Sequence, residues 1–388
     1  MAGICKLPAE LIEDIVVHLS EDKTSLRHCS LIGSFWTQPS YRHLFRTLTL
    51  STLYGTSDDY IPRTLLSQQP LFLKYVHQLH IRTISLHPRI FSAILNLFPN
   101  LHSLVIQDLE LHGWAPDEYF TSILEKTPTE TIPLDLLVFR TGLPPEPHAL
   151  CPVFDALSSI KELRFETDFY GGVSTLGMPD LCPSGHSLAV SSIYMGCYAV
   201  VGCMREIQLA LDPRRLHSAF LAHWIHDLTD LSHIDQFLSS FAVGLEDVSV
   251  RFELPQYIFN FNGLAPQIDG YHKLDSIAAC THLRSLRFIL TTSLHSYLYP
   301  SLWRKCLENL LHVTPHLHKL RLDLCDSYNP YQRLDWSLWK KALDRFEELG
   351  ELEVGVPEEV IDEATQFIVG KVSGRAKRLL KVVKCSET

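Results

Sequence analysis

Apolar side chains recur along most of the chain in triplets spaced +3 and +2. They stand at Val76/Leu79/Ile81, Leu101/Leu104/Ile106, Leu134/Leu137/Phe139 and Ile160/Leu163/Phe165. Further copies are Met204/Ile207/Leu209, Leu245/Val248/Val250, Leu283/Leu286/Phe288, Leu317/Leu320/Leu322 and Leu349/Leu352/Val354. Their starts lie 25 to 44 residues apart. Stretches of helical periodicity precede several copies, at 90–98, 234–243, 274–280 and 302–313. The unit reads as helix, turn, short strand, loop. Such a unit cannot cover its own apolar face, so neighbours must stack. The expectation for residues 47–388 is an irregular α/β solenoid, with a curved parallel sheet on the concave side and helices outside. The alternative is an ordinary α/β domain in which a loose pattern recurs by chance. Gly-, Pro- and Ser-rich stretches at 54–62, 143–152 and 170–185 read as loops, the last two as insertions between strands.

Residues 1–46 follow a different period. Leu11, Ile12, Ile15, Val16 and Leu19 form a helical stripe, and Pro8 suits its first turn. Asp22 or Thr24 is placed to cap a second helix carrying Leu26, Cys29 and Leu31 or Ile32. A third helix is expected to begin at Thr37, before Pro39. Residues 46–50 then alternate like a strand. Three short helices make too small a core to stand alone, so their apolar surface needs a partner.

Composition narrows the classes. Hydrophobic residues make up 46% and charged residues 20% of 388, which excludes disorder as the overall state. The formal net charge of −10 argues against non-specific nucleic-acid binding, which depends on neutralising phosphates. No apolar core precedes a cleavage site at the start, so no secretory signal is expected. The ten cysteines include no Cys-x-x-Cys pair and read as reduced, buried thiols of a cytoplasmic or nuclear protein. Residues 187–204 carry no charge, but small and polar residues interrupt the apolar clusters. That favours buried core over a membrane span. The basic C-terminus, Lys371 to Lys384, follows an acidic stretch and reads as a solvated cap paired with its neighbours, with an anion-binding or import role as the alternative.

Catalytic signatures are sparse. There is no Gly-x-Ser-x-Gly, no phosphate-cradling loop and no Gly-x-Gly-x-x-Gly. His223 and His226, beside Asp227, would share a helix face, but no third ligand is indicated. They are expected to be structural, with a hydrolase or metal role as the weak alternative. His316 and His318 are expected on opposite faces of a strand, unable to share a ligand simply. No cofactor, no metal and no catalytic residue is expected.

The triplet repeat resembles leucine-rich repeats. It departs from them at the customary asparagine position, which holds Ile84, Leu109, Gly142, Asp168 and other residues instead. The head resembles an F-box of the fungal type. The resemblance rests on Leu7-Pro8-x-Glu10-Leu11-Ile12-x-x-Ile15-x-x-x-Leu19, Leu26-x-x-Cys29-Ser30-Leu31, Trp36, and Tyr41-x-x-Leu44-Phe45-Arg46. It covers residues 5–50 and departs at 32–35, where Ile-Gly-Ser-Phe replaces the usual Val-Cys-basic stretch. The resemblance implies an α/β chain of two parts: adaptor-binding helices at 1–46 and a substrate-binding solenoid at 47–388. It implies docking on a Skp-family adaptor, and through it a cullin–RING ubiquitin ligase, by Leu7, Pro8, Leu11, Ile12, Ile15, Leu19, Leu26, Cys29, Leu31 and Trp36. The chain would then be a substrate receptor rather than an enzyme, acting on an unknown protein target, with no nucleic acid or membrane involved. The other reading is a protein-binding scaffold with no ligase role.

Strand positions on the face opposite the triplets point to the substrate side: Arg82, Arg164, Arg251, Arg287, Lys319 and Arg321. Arg164, Arg287 and Arg321 share one place in their triplets, with Gln208 and Ser249 between, so stacking predicts a row suited to an acidic or phosphorylated segment. The competing expectation is local neutralisation by Glu162, Glu166, Asp247 and Asp323.

Overall fold

The structure is a computed structural model describing residues 7–51, 60–68, 70–111, 118–124, 130–140, 147–166, 187–196, 204–224, 229–254, 275–292, 316–325, 330–372 and 374–385. Twelve parallel strands follow one another in the sheet in sequence order. Sequential parallel strands require a crossover at each step, and right-handed crossovers put the connections on one face. The alternate residues point to the other face; many are polar, although Val105, Val138 and Ile289 among them are buried. The chain divides into two compact units, and the division falls within the fifth strand.

The first unit opens with α1 (Ala9–His18), α2 (Lys23–Ile32) and α3 (Ser34–Leu44). Asp22 caps α2, accepting the Thr24 and Ser25 amides at 3.0 Å each. Helix α3 starts at Ser34, three residues before the expected Thr37, so Pro39 lies inside it. Arg42 on α3 pairs with Glu13 on α1 at 2.9 Å. Then follow β1 (Thr47–Ser51), α4 (Tyr60–Gln68), β2 (Gln78–Leu86), α5 (Pro88–Leu95), β3 (Ser103–Leu111), α6 (Glu118–Leu124), β4 (Ile132–Arg140), α7 (Pro147–Asp155) and the start of β5 (Leu157–Glu166). The apolar face of α5, Ile90, Phe91, Ile94 and Leu95, is buried together with Leu79, Ile81, Leu104 and Ile106 of the strands. In β2 the inward alternation slips one residue at Thr83, whose φ of 50° marks the irregularity. Leu79 and Ile81 point inward before it, Ile84 and Leu86 after it.

The second unit contains β6 (Ala189–Met195), α8 (Met204–Ala210), β7 (Ser218–Trp224), α9 (Thr229–Phe241), β8 (Asp247–Leu254), α10 (Asp275–Ala279), β9 (Ser285–Thr292) and β10 (Lys319–Leu324). It closes with α11 (Trp336–Leu343), β11 (Glu351–Val356), α12 (Ile361–Lys371), α13 (Gly374–Leu379) and β12 (Leu380–Lys384). Val248 of β8 forms one buried row with Leu286, Leu320 and Leu352, across four strands in register.

Several expectations are corrected. Met204/Ile207/Leu209 is not a strand but α8, and Leu209 is 63% exposed. A +3 step fits a helix as well as a turn into a strand, so spacing alone does not separate the two. The missing repeats are Val190/Ile193/Met195 and Leu216/Ala219/Leu221, buried in or beside β6 and β7 with the same spacing. Leu188, Val190, Ile193 and Met195 are core, as expected for 187–196, and 197–203 lie outside the described residues. The expected loop at 143–152 becomes α7 from Pro147. The loop at 170–185, most of that at 54–62 and the helix at 302–313 lie outside the described residues. Cys29, Cys280, Cys325 and Cys385 are free thiols, but Cys151 on α7 is disulfide-bonded, so uniform reduction does not hold. No helix among the described residues is long and apolar enough to cross a membrane.

Candidate functional site

Two surfaces carry the sequence-derived candidates. On the head, burial separates the ten adaptor residues into two groups. Ile12, Leu26 and Trp36 are 4%, 0% and 7% exposed and, with Val16, form the head's own core. Leu19 and Cys29 pack against that core from the side. Leu7, Leu11, Ile15 and Leu31 point outward at 38–82% exposure, and Pro8 is exposed at the start of α1. Burial also adds three residues that the motif does not single out: Val17, Ile32 and Phe35, at 52%, 52% and 71% exposure. Of the ten large apolar side chains found exposed among the described residues, seven lie between positions 7 and 35. Helical periodicity marks which residues are apolar. It does not say which side of a three-helix unit each one takes.

The end of α3 is seated on the short 3-10 turn Leu71–Tyr75 that precedes β2. Tyr41 meets Tyr75 edge-on at 6.5 Å, and Phe45 stacks on Phe72 at 4.6 Å. The outward apolar residues of α1, α2 and the start of α3 take no part in these ring contacts.

The open face of the second unit holds the predicted row, with different members. Strand register aligns Tyr194, Phe220, Ser249, Arg287, Arg321, Glu353 and Lys381. Gln208 is absent from the row because it lies on α8. Tyr194 and Phe220 take its place, stacked at 4.5 Å, and the Arg164 guanidinium stands 5.8 Å over the Tyr194 ring. The triplet assignment misses these aromatics because it passes over β6 and β7 as repeats.

Acidic partners occupy the arginine forks. Asp323 is 0% exposed and accepts Arg287 Nε at 2.5 Å. Arg321 donates to the same carboxylate through Nε and Nη2 at about 3.0 Å, and through Nη1 to Glu353 at 3.3 Å. Burial opposes the charge on Arg321, but the bonds to Asp323 more than offset it and hold its pKa above the usual value. Gly355 faces Asp323 across the strands, where a Cβ would fall 1.8 Å from Oδ1, so only glycine admits this buried carboxylate. Lys319 bridges Glu351 at 2.9 Å and Glu353 at 3.4 Å, and the Glu351 bond raises its pKa. Arg164 lies 3.8 Å from Glu166. Arg251 is half-buried in register with Ile289, next to the Asp323 position. Of the expected neutralising acids, Asp323 holds Arg287 and Arg321 and Glu166 lies near Arg164, whereas Glu351 and Glu353, which pair with Lys319, are not among them.

The open face of the first unit differs. Arg82 is exposed and aligns through Gln107 with Arg140. His80, one pleat away, is held below the ordinary imidazole pKa by burial and then by Arg82 and Arg140.

The histidine expectations change. His223 lies on β7, so it cannot share a helical turn with His226, and His226 and Asp227 lie outside the described residues. His316 and His318 do share a partner: Glu348 is 3.1 Å from one and 3.6 Å from the other. They flank the inward Leu317 and so face the same side, as residues two apart in extended chain do. Among the described residues no three His, Cys, Asp or Glu side chains are grouped to hold a metal. The basic C-terminus pairs with its acidic neighbours, Lys381 with Glu351 at 2.8 Å and Lys384 with Glu358.

No protein-family model matches the chain, and the search of curated proteins returns no match.

Proposed function

We propose that this chain is a substrate receptor of a Skp/cullin/F-box-type ubiquitin ligase, with an F-box-like head and a leucine-rich-repeat-like array of strands and helices. The observation that carries the reading is the exposure of Leu7, Leu11, Ile15, Val17, Leu31, Ile32 and Phe35 on a head whose core is packed separately by Ile12, Val16, Leu26 and Trp36. Exposed large apolar side chains concentrated in one short unit favour an interaction site there. The F-box resemblance supplies the partner, a Skp-family adaptor. The open faces of the strands would hold a protein target near the charged ubiquitin-conjugating enzyme, a proximity effect that needs no catalytic residue here. The proposed site of action is the cytoplasm or nucleus. The Cys151 disulfide runs against that part of the reading, since reducing compartments rarely retain such bonds. The seating of α3 through Phe45 and Tyr41 favours the second reading, in which the head serves as a cap.

The test is co-purification of a Skp-family adaptor with the full chain. Leu31→Asp with Phe35→Asp should abolish adaptor recovery, because truncating a central interface anchor commonly costs about 2 kcal/mol or more. An adaptor that never binds, or binds the double variant unchanged, leaves the cap reading.

A further inference from the structure

Arg46, His77 and His102 directly precede β1, β2 and β3, and Asp135, inside β4, holds the equivalent register position. The carbonyls of the first three each accept two amides from the next strand. Arg46 O takes those of His77 and Gln78, at 2.9 and 3.0 Å. His77 O takes those of His102 and Ser103, also at 2.9 and 3.0 Å. His102 O takes those of Asp135 and Leu136, at 2.8 and 3.1 Å. The backbone ladder thus fixes where these side chains stand. The His77 and His102 rings lie face to face, 5.4 Å apart and 15° from parallel. Helix α3 passes beside them and contributes Arg42 and His43, leaving a cleft of ≈ 340 Å³. Gln78 and Ser103 add neutral hydrogen-bonding groups to its lining.

The lining groups that can carry positive charge are Arg42, Arg46 and three histidines, His43, His77 and His102. Asp135 is the one carboxylate among the lining residues, and it is engaged by Lys161 at 2.5 Å and by His102 at 3.4 Å. Arg42 is held by Glu13, which leaves the exposed Arg46 with His43 and His77. Burial, then His102 and then Arg46 hold His77 below the usual imidazole value, which favours its neutral ring, with one N–H to donate, beside the Arg46 guanidinium.

We infer that this cleft binds a phosphate group, either free phosphate or the head of a monoester, between Arg46, His43 and the His77/His102 stack. Phosphate presents several acceptor oxygens and more than one negative charge, matching a guanidinium fork and imidazole N–H groups converging from two directions. The site is independent of the adaptor surface and of the ligase reading.

Calorimetric titration of the full chain with inorganic phosphate and with N-acetyl-phosphoserine amide tests it, N-acetylserine amide serving as the blank. Saturable binding of at least one phosphate probe is expected. Tighter binding of the ester assigns the site to a phosphorylated side chain, and equal or tighter binding of inorganic phosphate assigns it to the free ion. Arg46→Glu changes an exposed side chain and should weaken binding about tenfold or more, the scale of one charge-assisted hydrogen bond. His77→Gln, which keeps a polar group of similar reach, should weaken it as well. Binding by neither probe, or undiminished binding in both variants with their thermal midpoints retained, overturns the inference.

Discussion

Glu351 shows how a single side chain ties three strands together. Hydrogen bonds from Lys381 on β12 and then Lys319 on β10 lower its pKa to about 2 from a usual 4.5. A carboxyl whose pKa is lower in the folded chain contributes stability that is fully present above its unfolded value. That contribution is lost as pH falls from 4.5 toward about 2. The urea midpoint of Glu351→Gln should therefore lie below wild type at about pH 6, and the gap should close on acidification through that window. A gap that does not change with pH would show that the two lysines do not hold the carboxylate. Asp323 sets a different limit. Removing one partner of a buried ion pair leaves an uncompensated charge and costs about 3–5 kcal/mol. Charge reversal at Arg287 or Arg321 would thus read out folding before recognition.

Among the elements, the three helices of the head divide their apolar residues between two tasks. Trp36 lies in the core of the three-helix unit, whereas its neighbour Phe35 points outward. Trp36→Ala should lower head stability by about 3–5 kcal/mol, as large-to-small core substitutions do, while Phe35→Asp should leave it within about 0.5 kcal/mol. Hydrogen exchange of the α1–α3 amides separates the two variants. Equal protection in both would mean that the core is not built around Trp36. The stripe of α1 and the Asp22 cap are legible in the sequence, because 3.6-residue periodicity and capping chemistry are local. The start of α3 is not, because Pro39 reads as a first-turn residue in isolation, whereas the helix begins at Ser34, directly after the break at Gly33, and runs on through Pro39.

Across the chain as a whole, the two units present unlike open faces. In the second unit the cations are held by Asp323, Glu351 and Glu353. In the first unit Arg82 and Arg140 align on either side of Gln107 and add to burial in holding down the pKa of the neighbouring His80. If an acidic target is selected electrostatically, Arg82→Glu with Arg140→Glu should remove it from the proteins recovered with the chain while the fold is retained. A partner set unchanged by that double variant would place selection elsewhere, with the Arg164, Tyr194 and Phe220 cluster the next surface to alter.

The order of apolar and polar residues is enough to give the α/β class, the parallel sheet and most of the inward rows, because burial forces alternate apolar residues into every strand. It leaves α8 and β6–β7 ambiguous, since a +3 step serves helix and strand alike. It also supplies the cations without their partners. Strand register brings Asp323 between Arg287 and Arg321, and the packing of three helices decides that Leu26 lies inside while Leu31 faces out. The cleft at Arg46, His77 and His102 arises the same way. These three residues are distant along the chain and meet because parallel strands repeat one edge position at a spacing of about 4.8 Å.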